Sequence, residues 1–130
     1  MFTKRERGCY GSLYHRILLE EKKGAAKEYP FGPDPMVFKV AGKIFAIIFE
    51  EKDFINLKCD PVIAENLREQ YEGVTPGYHM NKQHWNTVKP DASLPEDDIK
   101  AMIDHSYDLI VSKLPKSVRE SIAEMKTKRK

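Results

Sequence analysis

Two runs of β-branched and aromatic residues, 37–40 and 44–49, flank Ala41-Gly42-Lys43. Residues of these types fit a pleated, half-buried surface, and the short break between the runs supplies a turn, so the pair predicts a β-hairpin. Glu50 to Asp53 form a second polar turn, and Phe54-Ile55-Asn56-Leu57-Lys58 follows with partly alternating polarity. A meander of three antiparallel strands is expected.

Helical spacing surrounds this β segment. Tyr10, Leu13, Tyr14, Ile17 and Leu18 predict a first amphipathic helix that Lys22, Lys23 and Gly24 close. The connector Tyr29-Pro30-Phe31-Gly32-Pro33-Asp34-Pro35 cannot continue it, because proline removes donors and drives its neighbours to extended conformations. Asp60 and Pro61 form a helix start, with Ile63, Leu67 and Tyr71 as the expected inner stripe and Gly73 as the stop. Further on, Ser93 and Glu96 have capping-box spacing, and Ile99, Met102, Ile103, Ser106, Ile110 and Leu114 trace one helical face. Pro115 interrupts it, and Val118, Ile122 and Met125 give a last short stripe.

Between these helices the segment 74–88 reads as extended, with Asn81-Lys82 the expected tip of a hairpin joining Tyr78-His79-Met80 to His84-Trp85-Asn86. The elements add up to an α+β fold: an antiparallel β-sheet of hairpins covered on one face by N-terminal and C-terminal helices. At 130 residues this is one domain, 1–125, ending in a basic tail, 126–130.

The longest unbroken apolar run covers only residues 44–49, so no transmembrane helix is expected, and no apolar stretch follows the basic start as in a signal peptide. Cys9 and Cys59 form no close pair, which predicts reduced thiols and a cytoplasmic protein. Segments 1–30, 31–111 and 112–130 carry +3, −6 and +5: seven basic against four acidic residues, eight against fourteen, and seven against two. The acidic middle argues against a strong DNA binder.

Phosphate loops, dinucleotide fingerprints, zinc-protease helices and nucleophile elbows are absent from the sequence. His79 and His84 have no nearby cysteine or carboxylate to complete a metal site, and His15 and His105 fit hydrogen-bonded helix positions. Asp104, His105 and Ser106 are consecutive on a helix, so their side chains point about 100° apart and form no relay. Glu96, Asp97 and Asp98 suit the positive end of a helix dipole. No catalytic residue, metal or cofactor is implied, and a binding protein rather than an enzyme is expected. The richest segment is 78–87, where Asn81, Lys82, Gln83, His84 and Trp85 could meet bases and phosphates. In the alternative reading, Tyr78, His79, His84 and Trp85 line an aromatic pocket for a small molecule or a protein segment.

Several stretches resemble the MmcQ/YjbR family of small bacterial proteins: Tyr29-Pro30-Phe31-Gly32, the run 37–43, Ile55-Asn56-Leu57-Lys58-Cys59-Asp60-Pro61, Pro76-Gly77-Tyr78-His79-Met80-Asn81-Lys82, His84-Trp85-Asn86-Thr87-Val88, Asp104-His105-Ser106-Tyr107-Asp108-Leu109 and Lys113-Leu114-Pro115. The resemblance spans residues 29–119. It implies a frataxin-like (CyaY-like) α+β fold and double-wing DNA binding, connected with transcription. The wings would be the hairpins at Gly42-Lys43 and Asn81-Lys82, with Lys39, Lys43, Asn81, Lys82, Gln83, His84 and Trp85 on the DNA. Frataxin-like iron binding is not expected, because Arg16, Lys22 and Lys23 interrupt any acidic ridge on the first helix. DNA is thus the expected partner, with no membrane association and a monomer favoured.

Overall fold

A computed structural model describes residue 19 and residues 21–32, 34–78, 80–89 and 94–125. Six strands form one antiparallel sheet: β1 (Ala25–Glu28), β2 (Met36–Val40), β3 (Lys43–Phe49), β4 (Phe54–Lys58), β5 (Val74–Pro76) and β6 (Trp85–Val88), in the order β1-β2-β3-β4-β6-β5. Among the described residues three complete helices accompany them: α1 (Pro61–Gln70), α2 (Glu96–Ser112) and α3 (Lys116–Glu124). The expected α+β architecture and three-strand meander are both present. The predicted first helix lies outside the described residues apart from Leu19, which is helical and fully buried.

Register explains the core. Cross-strand partners share a face, and Met36, Ile48, Ile55, Val88 and Val74 are successive partners across β2, β3, β4, β6 and β5. All five are buried in one cluster with Ile99, Met102, Ile103 and Ile110 of α2. Burying each such side chain contributes about 1.5–3 kcal/mol, so this row and the helix above it carry much of the stability. Ala41 (φ 50°) and Gly42 (φ 78°) occupy the two left-handed positions of the β2–β3 turn, a geometry that matches right-twisted strands. The register slips between Phe38 and Lys39, leaving Phe45 as the extra residue of a bulge. Its ring packs edge-on against Tyr107 of α2, with centroids 5.4 Å apart.

Four expectations are corrected. β1 was not anticipated, because Ala-Ala-Lys-Glu has little strand propensity, and its pairing with the edge of β2 decides the conformation. In α1 the inner residues are Ala64 and Leu67, with Tyr71 packing inward just past its end, whereas Ile63 is 42% exposed. Helix α2 starts after Pro95, whose carbonyl accepts the amides of Asp98 (3.0 Å) and Ile99 (3.1 Å), with no side-chain cap. Ser93 lies outside the described residues. Finally, the strands of the second hairpin are Val74–Pro76 and Trp85–Val88, so residues 77–84 form a folded loop instead of extending the ladder to Asn81-Lys82.

Candidate nucleic-acid interface

The register places the functional side chains. Val40 pairs with Lys43 at the β2–β3 turn, Lys58 at the end of β4 pairs with Trp85 at the start of β6, and Pro76 pairs with Asn86. The tip 41–42, the loop 77–84 and the amino end of α1 therefore meet at one end of the sheet. Strand β4, which leads into α1, lies between β3 and β6. Lys43 and Gln83 are exposed, and Lys58 is half-buried with its ammonium 5.9 Å from the centre of the Trp85 ring.

Acids gather at the opposite end. Glu50, Glu51 and Asp53 lie in the β3–β4 turn, and the amide of Glu50 is held at 2.9 Å by Asp34. Tyr71, just before β5, donates to Asp98 in the first turn of α2, which brings Glu96 and Asp97 to that end as well. The direction of α2 is fixed farther along, where Ser106 contacts Phe45 and Lys58.

The loop 77–84 is tightly tied down. Arg68 of α1 donates from Nε to Asn86 Oδ1 (2.7 Å) and from its guanidinium to the carbonyls of Lys82 and Trp85. Lys82 Nζ donates to Gly77 O (3.0 Å), and Asn81 Oδ1 accepts the Gln83 amide (2.9 Å). On the sheet face opposite the core row, buried Thr87 donates to Asn56 Oδ1 (2.6 Å) and accepts the Tyr78 amide (2.8 Å), while Asn56 Nδ2 donates to Tyr78 O (2.9 Å). Gly77 lies so near Trp85 that an added Cβ would stand 2.7 Å from the Trp85 Cβ.

Of the proposed DNA contacts, Lys43, Asn81, Lys82 and Gln83 lie on the exposed surface of these loops. Lys39 is paired with Glu28 at 3.1 Å, and Trp85 is only 7% exposed. His84 is half-buried, and its carbonyl accepts the Cys59 amide at 2.8 Å. The alternative pocket residues diverge: the Tyr78 ring packs on Phe49 (5.8 Å) and Phe54 (5.4 Å), while the Trp85 ring lies by Lys58. His79 lies outside the described residues. Sequence reasoning missed two participants, Lys58 and Arg68. Lys58 was legible as the last residue of a strand, whereas the inward reach of Arg68 leaves no sequence signal.

Residues with catalytic potential serve structural bonds here. His105 Nε2 accepts the Asp60 amide (3.2 Å), and Asp60 caps α1 through the amides of Val62 (3.1 Å) and Ile63 (3.3 Å). Burial pushes the Cys59 thiol up to about 11, with the Asp60 carboxylate adding to the shift. Among the described residues no three His, Cys, Asp or Glu side chains cluster to hold a metal ion, and no helix is long and apolar enough to cross a membrane.

Fold and site together define a small α+β domain with its helices on one sheet face and a loop-rich, basic end. The YjbR family model matches residues 20–109, and the chain belongs to that family. It is 42% identical over 90 residues to the uncharacterized protein YbdF of Escherichia coli O157:H7, covering 68% of this chain and 74% of that one. Uncharacterized YyaQ of Bacillus subtilis strain 168 is 32% identical over 107 residues, 70% of this chain and 90% of its own. The crystal structure of Deinococcus radiodurans DR2400, a DUF419 domain, superposes with a TM-score of 0.78 at 30% identity, covering 84% of this chain and 85% of that one.

Proposed function

We propose that this domain is a non-catalytic binding protein that holds duplex DNA at the end of the sheet carrying the β2–β3 tip and the loop 77–84. One observation carries the reading: the register gathers both loops, Lys43, Lys58 and Lys82 at one end, while the acids of the central segment stand mainly at the other. Most of the negative charge of residues 31–111 is thereby separated from the surface that would meet phosphate, and of the acids at the basic end Asp60 is engaged by the amides of Val62 and Ile63 and Asp104 by Lys22. The β2–β3 tip and the β5–β6 loop are centred three strand spacings apart, about 14 Å, which compares with a major groove about 12 Å wide. Two loops at that separation can bracket or enter a groove.

The lysines should contribute unequally. Lys43 projects from a tight turn, whereas Lys39 is neutralised by Glu28. Because each neutralised phosphate releases condensed counterions, Lys43→Ala should lower the slope of log affinity against log salt by about 0.9, and Lys39→Ala should leave it nearly unchanged. The test is fluorescence anisotropy with a labelled mixed-sequence duplex at four salt concentrations. A parent dissociation constant no tighter than about 10⁻⁴ M at physiological salt, or an unchanged slope in Lys43→Ala, would refute the reading.

A further inference from the structure

We propose that the first turn of α1 reads thymine methyl groups through Val62 and Ile63, giving the DNA-binding end its base preference; this rests on the DNA reading above. Val62 is 67% and Ile63 42% exposed, although both are β-branched apolar residues in a helix whose inner side is supplied by Ala64 and Leu67. The fold therefore does not use these two side chains for its core. Their position is fixed, because Asp60 Oδ2 accepts both of their amides and Pro61 occupies the first turn.

The surroundings indicate the occupant. Helix α1 leaves β4, the strand between β3 and β6, so its amino end emerges at the level of the two loops. The charged side chains of those loops and of the end of β4 are Lys43, Lys58 and Lys82, and the carboxylate beside the first turn of α1, Asp60, is engaged by the amides of Val62 and Ile63. A basic surround favours a polyanion, and the apolar group that a DNA major groove offers is the C5-methyl of thymine.

The experiment uses the full chain and three labelled duplexes: one A·T-rich, the same sequence with every thymine replaced by uracil, and one of G·C pairs only. Each buried methyl should strengthen binding by about fourfold, so the thymine duplex should bind tighter than its uracil counterpart by at least that factor. In Val62→Ser/Ile63→Ser, checked for folding by circular dichroism, the two duplexes should bind equally while the salt slope stays at the parent value. Equal binding of thymine and uracil duplexes by the parent, or discrimination retained in the double variant, overturns the proposal and leaves the DNA reading standing. Absence of binding to all three duplexes removes both.

Discussion

Replacing Ser106 by alanine should destabilise the domain far more than a single hydroxyl suggests. Ser106 is fully buried, and its Oγ donates to the Phe45 carbonyl at 2.5 Å while accepting the Lys58 amide at 2.9 Å. One group lies at the β3 bulge and the other ends β4, so both backbone groups depend on α2 for a partner. A buried group left without its hydrogen bond costs about 1–3 kcal/mol, and two such groups put Ser106→Ala at about 2–6 kcal/mol. That is a large share of the roughly 5–15 kcal/mol available to a domain of this kind. Urea unfolding followed by circular dichroism, with a slope of about 1–3 kcal/mol per molar, should show the midpoint falling by about 1 M or more. Ser112→Ala is the control, since the Ser112 hydroxyl is exposed and bonds to Leu109 O of its own helix at 2.9 Å. If Ser106→Ala unfolds within about 0.5 kcal/mol of the parent, the stitching role is wrong.

Gly77→Ala should lower stability by about 1–3 kcal/mol, because the new methyl would stand 2.7 Å from Trp85 Cβ and 3.0 Å from Trp85 O. Tryptophan fluorescence should shift as the indole moves, and an unshifted spectrum with parental stability would contradict the close approach. Cys59 supplies a pH test: its folded thiol is raised from 9.0 to about 11, so the fold favours the neutral form. That contribution is complete below pH 9 and is lost as pH rises towards 11. Urea midpoints measured from pH 8 to 11 should fall less steeply in Cys59→Ala than in the parent, and parallel curves would show that the thiol plays no part.

Strand content was legible where residue type and periodicity agreed. The run of six apolar residues at 44–49 left little choice, and β3 includes all of it. Where the conformation depends on a partner, residue type misleads. Ala25–Glu28 becomes a strand only because β2 offers an edge, and Ile63 completes an attractive i, i+4 pattern yet faces solvent because Ala64 takes the position under the helix. The loop 77–84 was misread for a related reason. Alternating aromatic and polar residues imply a longer ladder, but Arg68 reaches across from α1 to hold the carbonyls of Lys82 and Trp85, and the loop folds back instead. No local rule can see a guanidinium 14 residues upstream of the backbone it binds.

Charge carries the same lesson for the candidate site. Summed along the chain, residues 31–111 are acidic, which counts against phosphate binding. Strand order resolves those charges onto an axis: β3 and β4 run in opposite directions, so Lys43 and Lys58 share one end while Glu50, Glu51 and Asp53 share the other. Helix α2 runs back across the sheet and leaves its three leading acids by Tyr71 at the acidic end. The separation places the β3–β4 turn about five residues of strand, roughly 17 Å, from the loops, beyond the Debye length of about 8 Å at physiological salt. At that distance the acids of the β3–β4 turn are largely screened from the basic end, so under the proposed DNA reading affinity should depend on the local lysines rather than on the net charge of the segment.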